Sequence, residues 1–202
     1  MIYENYIKVF FDRLMAGILG ILLLPLFIII YILLFTTQGN PVFFVQMRSG
    51  KERKKFKLYK FRTLKPSVSG DLSMGKRTFT FFGNVMRRSG FDEFPQLFNI
   101  IKGEMSFIGP RPMPIEYEEK YSRTHLLRFM VKPGITGWAQ VHGRNDISWE
   151  HRFELDLWYV NNISLFLDMK ISWMTFIQII ISIFNKEKKQ IEMPIFKGSN
   201  LS

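Results

Sequence analysis

Three features of the sequence predict an α+β fold, mainly helical. They are an uncharged apolar run near the N-terminus interrupted by a proline, one pair of alternating segments joined by a Ser-Gly turn, and stretches of helical period beyond them. With 202 residues, 47% apolar and 22% charged, the chain has the length for one modest domain plus a membrane element, and it is too apolar for disorder. The formal charge of +11 points to polyanionic company: nucleic acid, an anionic bilayer face or a phosphate-rich small substrate. The lack of cysteine excludes a disulfide frame, a thiolate nucleophile and a cysteine zinc site.

Residues 14–35 carry no charge, and these 22 residues as a straight helix would reach about 33 Å, enough to cross a hydrocarbon core. Bulky side chains continue through residues 31–35, where a cleaved signal peptide would show small ones, so the segment is expected to stay in the mature protein. Lys8 and Arg13 precede the run, and Arg48, Lys51, Arg53, Lys54 and Lys55 follow it, which places both ends on the cytoplasmic side. Pro25, near the midpoint, removes an amide donor and crowds the Ile21 carbonyl. Two geometries accommodate it: a re-entrant helix that enters and leaves by one leaflet, and a kinked spanning helix. The expected division is 1–38, membrane-embedded with its break at Pro25, and 39–202, a cytoplasmic domain. A second apolar stretch, residues 171–184, is too short to span comfortably and suits an interfacial or core helix, with core packing the default.

Alternation over residues 42–46, a turn around Arg48-Ser49-Gly50 and alternation again over residues 56–63 predict a β-hairpin. In its second strand Phe56, Leu58, Lys60 and Arg62 share a face, so Lys60 and Arg62 should form one cationic patch. The loop Gly70-Asp-Leu-Ser-Met-Gly75-Lys76 approximates a nucleotide-binding P-loop but fails as one. Arg77 stands where a magnesium-binding hydroxyl is needed, and no buried strand launches the loop.

Phe94, Leu97, Phe98 and Ile101 fall at helical spacing and Gly103 supplies a stop, which predicts a helix from near Asp92 to Lys102. Pro95 is tolerated only near a first turn, so Asp92 and Glu93 must lie at the N-terminus, with Asp92 facing away from the apolar side. Such a pair ordinarily complements the helix dipole, worth about 0.3 to 1 kcal/mol. Here arginines crowd the pair in sequence. Arg87 and Arg88 precede it, Gly109-Pro110-Arg111-Pro112 presents another on a rigid turn, and Arg144 closes the glycine-framed residues 133–145. Several guanidinium forks on stiff loops suit a diphosphate. Further on, Ser148 should open a helix on which Asp156 flanks the Phe153, Leu157 and Val160 face; paired with an arginine, this carboxylate would be structural. His125, His142 and His151 lack metal-ligand spacing, which argues against zinc.

These segments resemble the bacterial sugar transferases, specifically the small monotopic phosphoglycosyl transferases. The matching motifs are Tyr59-Lys60-Phe61-Arg62-Thr63, residues 87–97, residues 105–112, residues 132–145, Phe153-Glu154-Leu155-Asp156 and Leu167-Asp168-Met169-Lys170. The resemblance implies an enzyme on the cytoplasmic face of the bacterial inner membrane, with a re-entrant N-terminal helix, a small hairpin and amphipathic helices at the membrane surface among anionic lipids. It implies transfer of a sugar-1-phosphate from a UDP-sugar to polyprenyl phosphate with release of UMP, assisted by Mg²⁺. By the same resemblance Asp92 is the nucleophile that takes the phosphosugar as an acyl phosphate, and Glu93 its acidic partner. Lys60, Arg87, Arg111 and Arg144 become phosphate or uridine contacts; the magnesium shell is expected to include Asp92, with Asp156 a further candidate. Three departures stand out, one of them His142 where Asn is common. Leu24-Pro25 replaces the Ser-Pro expected at the helix break, and Gly90-Phe91 replaces Ser-Leu before the acidic pair, which removes a helix cap. The rival classes, a membrane-tethered nucleic-acid binder and a silent membrane scaffold, explain neither the acidic pair nor the Gly-Pro-Arg-Pro turn.

Overall fold

A computed structural model describes residues 2–63, 81–143, 146–184 and 195–198. The apolar run forms two helices, α1 (Lys8–Leu22) and α2 (Leu24–Gln38), entered through a π-helical turn at Tyr3–Ile7. The two axes are bent by 63°. The break falls at Leu23 (φ −92°, ψ 0°) rather than at Pro25 itself. Proline is cheap in the first turn of a new helix, where its missing N–H would find no intrahelical partner, so the chain restarts just ahead of it.

Each half of the bent pair rests on the rest of the chain. Ala16 of α1 is fully buried with Phe56, Leu58, Ile100 and Met105, and Ile30 and Leu34 of α2 are buried with Val42, Phe61 and Met86. Most other apolar side chains of these helices, among them Phe10, Ile21, Leu22, Ile28, Ile29 and Ile32, remain exposed. The hairpin forms as expected from β1 (Phe43–Ser49) and β2 (Lys55–Phe61), antiparallel, with Phe43 opposite Phe61 and Ser49 opposite Lys55. Its second strand does not make a single cationic patch. Arg62 donates to the Gln38 and Gly39 carbonyls at 2.5 and 2.8 Å, capping the negative end of α2, while Lys60 turns to Glu93.

After α3 (Phe81–Ser89) the chain turns through Phe91–Glu93 into α4 (Gln96–Lys102). Two strands that the glycine-rich motifs concealed follow: β3 (Ser106–Ile108) and β4 (Gly134–Thr136) pair in parallel. Their backbones approach so closely that a β-carbon on Gly109 or Gly134 would collide with the facing strand, and one on Gly137 with the Gly109 carbonyl. This contact fixes where the Gly-Pro-Arg-Pro turn leaves β3. The short α5 (Trp138–Val141) and α6 (Trp149–Asn161) come next, and Ser148 caps α6 by accepting from the His151 N–H at 3.1 Å.

The last helix, α7 (Leu165–Phe184), corrects the expectation of core packing. It begins six residues earlier than residue 171, has the length and composition to cross a membrane, and is only 17% buried. Leu167, Asp168 and Ile171 are buried, whereas Trp173, Phe176, Ile180, Ile181 and Phe184 are exposed. Asp168 anchors it. Its carboxylate accepts from Tyr3 at 2.7 Å, Lys8 at 2.6 Å and Tyr159 at 2.8 Å, which ties the start of α1, α6 and α7 together.

Candidate active site

The acidic pair lies ahead of α4, not inside its first turn. Pro95 occupies the N-cap position of α4, and Asp92 and Glu93 sit in a separate 3₁₀ turn. Gly90 makes that turn possible with φ +77°, a left-handed conformation that favours glycine, so it joins α3 to the turn rather than marking a lost cap. Phe94, packed with Ile30, Leu34 and Phe61, pins the turn against α2 and the hairpin.

Glu93 is clamped. Lys60 Nζ lies 2.5 Å and Arg111 Nη2 3.1 Å from the same oxygen, Oε1. Burial alone would raise this carboxyl, but the two cations override it and hold Glu93 well below the usual carboxylate range. Asp92, half-buried beside it, moves the other way. Burial and the charge of Glu93 push it up to about 6, against the opposing pull of Lys60, Arg87 and Arg111. Neighbouring carboxylates thus divide into one permanently ionised anchor and one basic, less constrained oxygen donor. Arg111 keeps 39% of its side chain exposed, so its guanidinium also remains within reach of a ligand.

The structure therefore brings Asp92, Glu93, Lys60, Arg87 and Arg111 into one electrostatic neighbourhood. Arg144 lies outside the described residues. Asp156 stands apart. It is 1% exposed and central to the buried face of α6 with Arg152, Phe153 and Tyr159, not on a flank. Arg128 donates to its Oδ2 from Nε at 3.2 Å and Nη2 at 2.7 Å, the structural pairing open to it from sequence. Arg128 also donates to the Arg111 carbonyl at 2.8 Å, and so holds the turn that presents Arg111. Sequence reasoning passed over Arg128; its partner is 28 residues away, and no local spacing links them. Among the described residues no three His, Asp or Glu side chains gather to cage a metal ion. A cavity of about 190 Å³ lies elsewhere, on Lys8, Asp12, Lys51 and Lys132, and none of the acidic pair's partners line it.

A basic carboxylate within the field of fixed cations is the equipment of an enzyme that transfers an anionic group. Comparison supplies the family. Residues 3–182 match the model described as bacterial sugar transferase, and the chain belongs to that family. It is 45% identical over 163 residues to the "uncharacterized sugar transferase EpsL" of Bacillus subtilis (strain 168), covering 80% of this chain and 81% of that one. To the "exopolysaccharide production protein ExoY" of Rhizobium meliloti (strain 1021) it is 35% identical over 184 residues, 82% of this chain and 81% of that one. To the "UDP-glucose:undecaprenyl-phosphate glucose-1-phosphate transferase" of Escherichia coli (strain K12) it is 35% identical over 176 residues, 81% of this chain but 38% of that longer one.

The split within the pair makes the pH profile a direct readout. A nucleophilic Asp92 must be ionised, and its raised pKa means that protons compete for it below about pH 6. If Asp92 attacks the sugar donor, kcat/KM for that donor should fall about tenfold per pH unit on the acid side of that midpoint. Glu93→Gln removes the repelling charge and turns Lys60 and Arg111 toward Asp92, so the midpoint of the residual activity should move down. A midpoint that stays or rises would remove Asp92 as the titrating group.

Proposed function

We propose that this sugar transferase moves a sugar-1-phosphate from a UDP-sugar to polyprenyl phosphate in two displacements at one phosphorus. In the first, an Asp92 carboxylate oxygen attacks the sugar-bearing phosphorus, the bond to the bridging oxygen breaks, and UMP leaves with that oxygen. In the second, a phosphate oxygen of the lipid attacks the same phosphorus, the acyl phosphate bond breaks, and Asp92 returns to carboxylate as the lipid diphosphate sugar departs. Dividing the transfer lets one site serve two substrates that need not be bound together. The observation that carries the reading is the clamped Glu93 beside a basic Asp92, with Lys60 and Arg111 supplying countercharge. The names of the UDP-sugar transferases among the relatives support the substrates.

Mg²⁺ fits the residues present. With Glu93 engaged by two cations and Asp156 by Arg128, Asp92 is the carboxylate of these three left to meet a metal ion, and magnesium typically takes one or two carboxylates together with substrate phosphates. Bound there, it would screen the meeting of two anions and favour departure of UMP. The Glu93 clamp keeps Lys60 and Arg111 in place for the incoming diphosphate.

The membrane reading belongs to the same proposal: α1 and α2 form a re-entrant hairpin at the cytoplasmic face of the inner membrane, and α7 lies along the surface among anionic lipids. The 63° bend, basic residues at both ends and the exposed apolar face of α7 support it. Because the chain has no cysteine, single cysteines placed at residues 4 and 40 report topology cleanly. Both should label only from the cytoplasmic side; labelling of one from outside would establish a spanning helix.

For the chemistry, detergent-solubilised protein with Mg²⁺ and a panel of UDP-sugars should give a stoichiometric burst of UMP without lipid and steady turnover with undecaprenyl phosphate. A chain that releases UMP from none of them is not this enzyme.

A further inference from the structure

Arg152 carries a buried charge with two donors left without a hydrogen-bond partner. The residue is 2% exposed, and neither Nε nor Nη2 has a hydrogen-bond partner. The Trp149 ring, 5.6 Å from its guanidinium carbon, offers only a cation–π contact. Asp156, one helical turn further along α6, is already bonded to Arg128 through Oδ2. Natural proteins rarely leave buried donors unpaired, and an ionised one is costlier still to bury.

Its surroundings favour an anion. Arg152 lies within the field of Arg111 and Arg128 as well as Asp156, and burial first, then the Arg111 charge, lowers it to about 10. On another side of the same turn Arg48 donates to the Pro112 carbonyl at 3.0 Å, leaves its Nε unpaired, and is likewise lowered to about 10 by burial and by Arg111. Arg111 thus stands among three further guanidinium groups, Arg48, Arg128 and Arg152; Glu93 is bonded to Arg111 and Asp156 to Arg128, which leaves no carboxylate hydrogen-bonded to Arg152 among the described residues. Gln140 adds to the deficit. Neither of its amide atoms has a partner, and its Oε1 sits over Gly137, which packs on the Gly109 carbonyl two residues before Arg111.

Building on the donor assignment above, we propose that Arg152 is a further substrate-binding residue, which takes the departing, nucleotide-side phosphate of the nucleoside diphosphate donor behind Arg111. The order of contacts gives the direction. Glu93 bonds the Arg111 guanidinium, Arg128 bonds both the Arg111 carbonyl and Asp156, and Arg152 lies one turn before Asp156 on the buried face of α6. A diphosphate lying from Asp92 across Arg111 therefore reaches Arg152 with its far phosphate, the one that leaves as UMP. Charge stored on that side stabilises the departing dianion more than the bound diester, which is the differential that accelerates the first displacement.

The test compares full-length protein with Arg152→Met, which keeps the length of the side chain and removes the charge, using UMP and uridine as probes. Loss of an uncompensated buried charge should leave the ligand-free melting temperature unchanged or higher, while UMP affinity falls tenfold or more and uridine binding is unaffected. A purely structural arginine gives the opposite pair, a lower melting temperature with UMP affinity intact, and that result overturns the proposal. If Arg152→Met does not fold, Arg152→Lys decides. Weakened UMP binding with uridine unchanged sustains the assignment, and wild-type UMP affinity ends it. Wild-type protein that neither binds UMP nor releases it from any UDP-sugar defeats the donor assignment itself. UMP release by wild type, with undiminished UMP binding by Arg152→Met, defeats only the role of Arg152.

Discussion

Asp92→Asn is expected to abolish sugar phosphate transfer, by roughly a thousandfold or more, and with it covalent labelling of the protein by a donor carrying label in its sugar-side phosphate. Asparagine keeps the shape of the side chain but offers no anionic oxygen, so the first bond cannot form. Stability separates this loss from misfolding. At neutral pH the native carboxylate is disfavoured by burial and by Glu93, as its raised pKa records. A group whose folded pKa lies above its unfolded one favours the fold when protonated, and that contribution fades as pH rises through about 6. The uncharged amide is free of that handicap, so Asp92→Asn should melt no lower than wild type at pH 7. Labelling that survives in a folded Asp92→Asn protein would assign the nucleophile elsewhere.

The parts of this protein that speak through short-range pattern were legible in its sequence. Alternation revealed the hairpin to within three residues, with β1 running on through Arg48 and Ser49 where a turn was expected; Pro25 announced the break, and Ser148 announced the start of α6. The acidic pair and its cations stood out because Lys60, Asp92, Glu93 and Arg111 each sit in a recognisable motif. What stayed hidden depends on distant partners. β3 and β4 are three residues each and lie about 28 positions apart, so their glycines looked like loop residues until the parallel pairing showed why no side chain fits. Lys60 and Arg62 share a strand face by periodicity, yet the end of α2 draws one away and Glu93 the other. The helical stop at Gly103 was visible, but the left-handed Gly90 that sets the acidic pair ahead of α4 was not, because a glycine there reads equally as a missing cap.

Asp156 presents the second large effect, because two roles for it predict different failures. If it bound magnesium, Asp156→Asn would raise the Mg²⁺ concentration needed for activity and leave the fold nearly untouched. In the structure it neutralises Arg128 at 2% exposure for both side chains, with Arg152 a turn away also lacking another carboxylate. Removing one member of a buried pair leaves the other charged and unpaired, at a cost of about 3 to 5 kcal/mol. For a chain of this size that corresponds to a melting temperature lower by on the order of 10 °C. Arg128 also holds the Arg111 carbonyl, so the surviving folded fraction should show a raised KM for the UDP-sugar, with its Mg²⁺ dependence unchanged. Replacing both partners, as Arg128→Met with Asp156→Leu, should recover part of the stability but not the KM, since no guanidinium then steadies the Arg111 turn. A lone change in Mg²⁺ requirement with a native melting temperature would return Asp156 to the metal. The same helix thus makes opposite predictions one turn apart: losing the carboxylate at 156 weakens the fold, whereas losing the guanidinium at 152 relieves it, because among the described residues only the first charge is hydrogen-bonded to an opposite one.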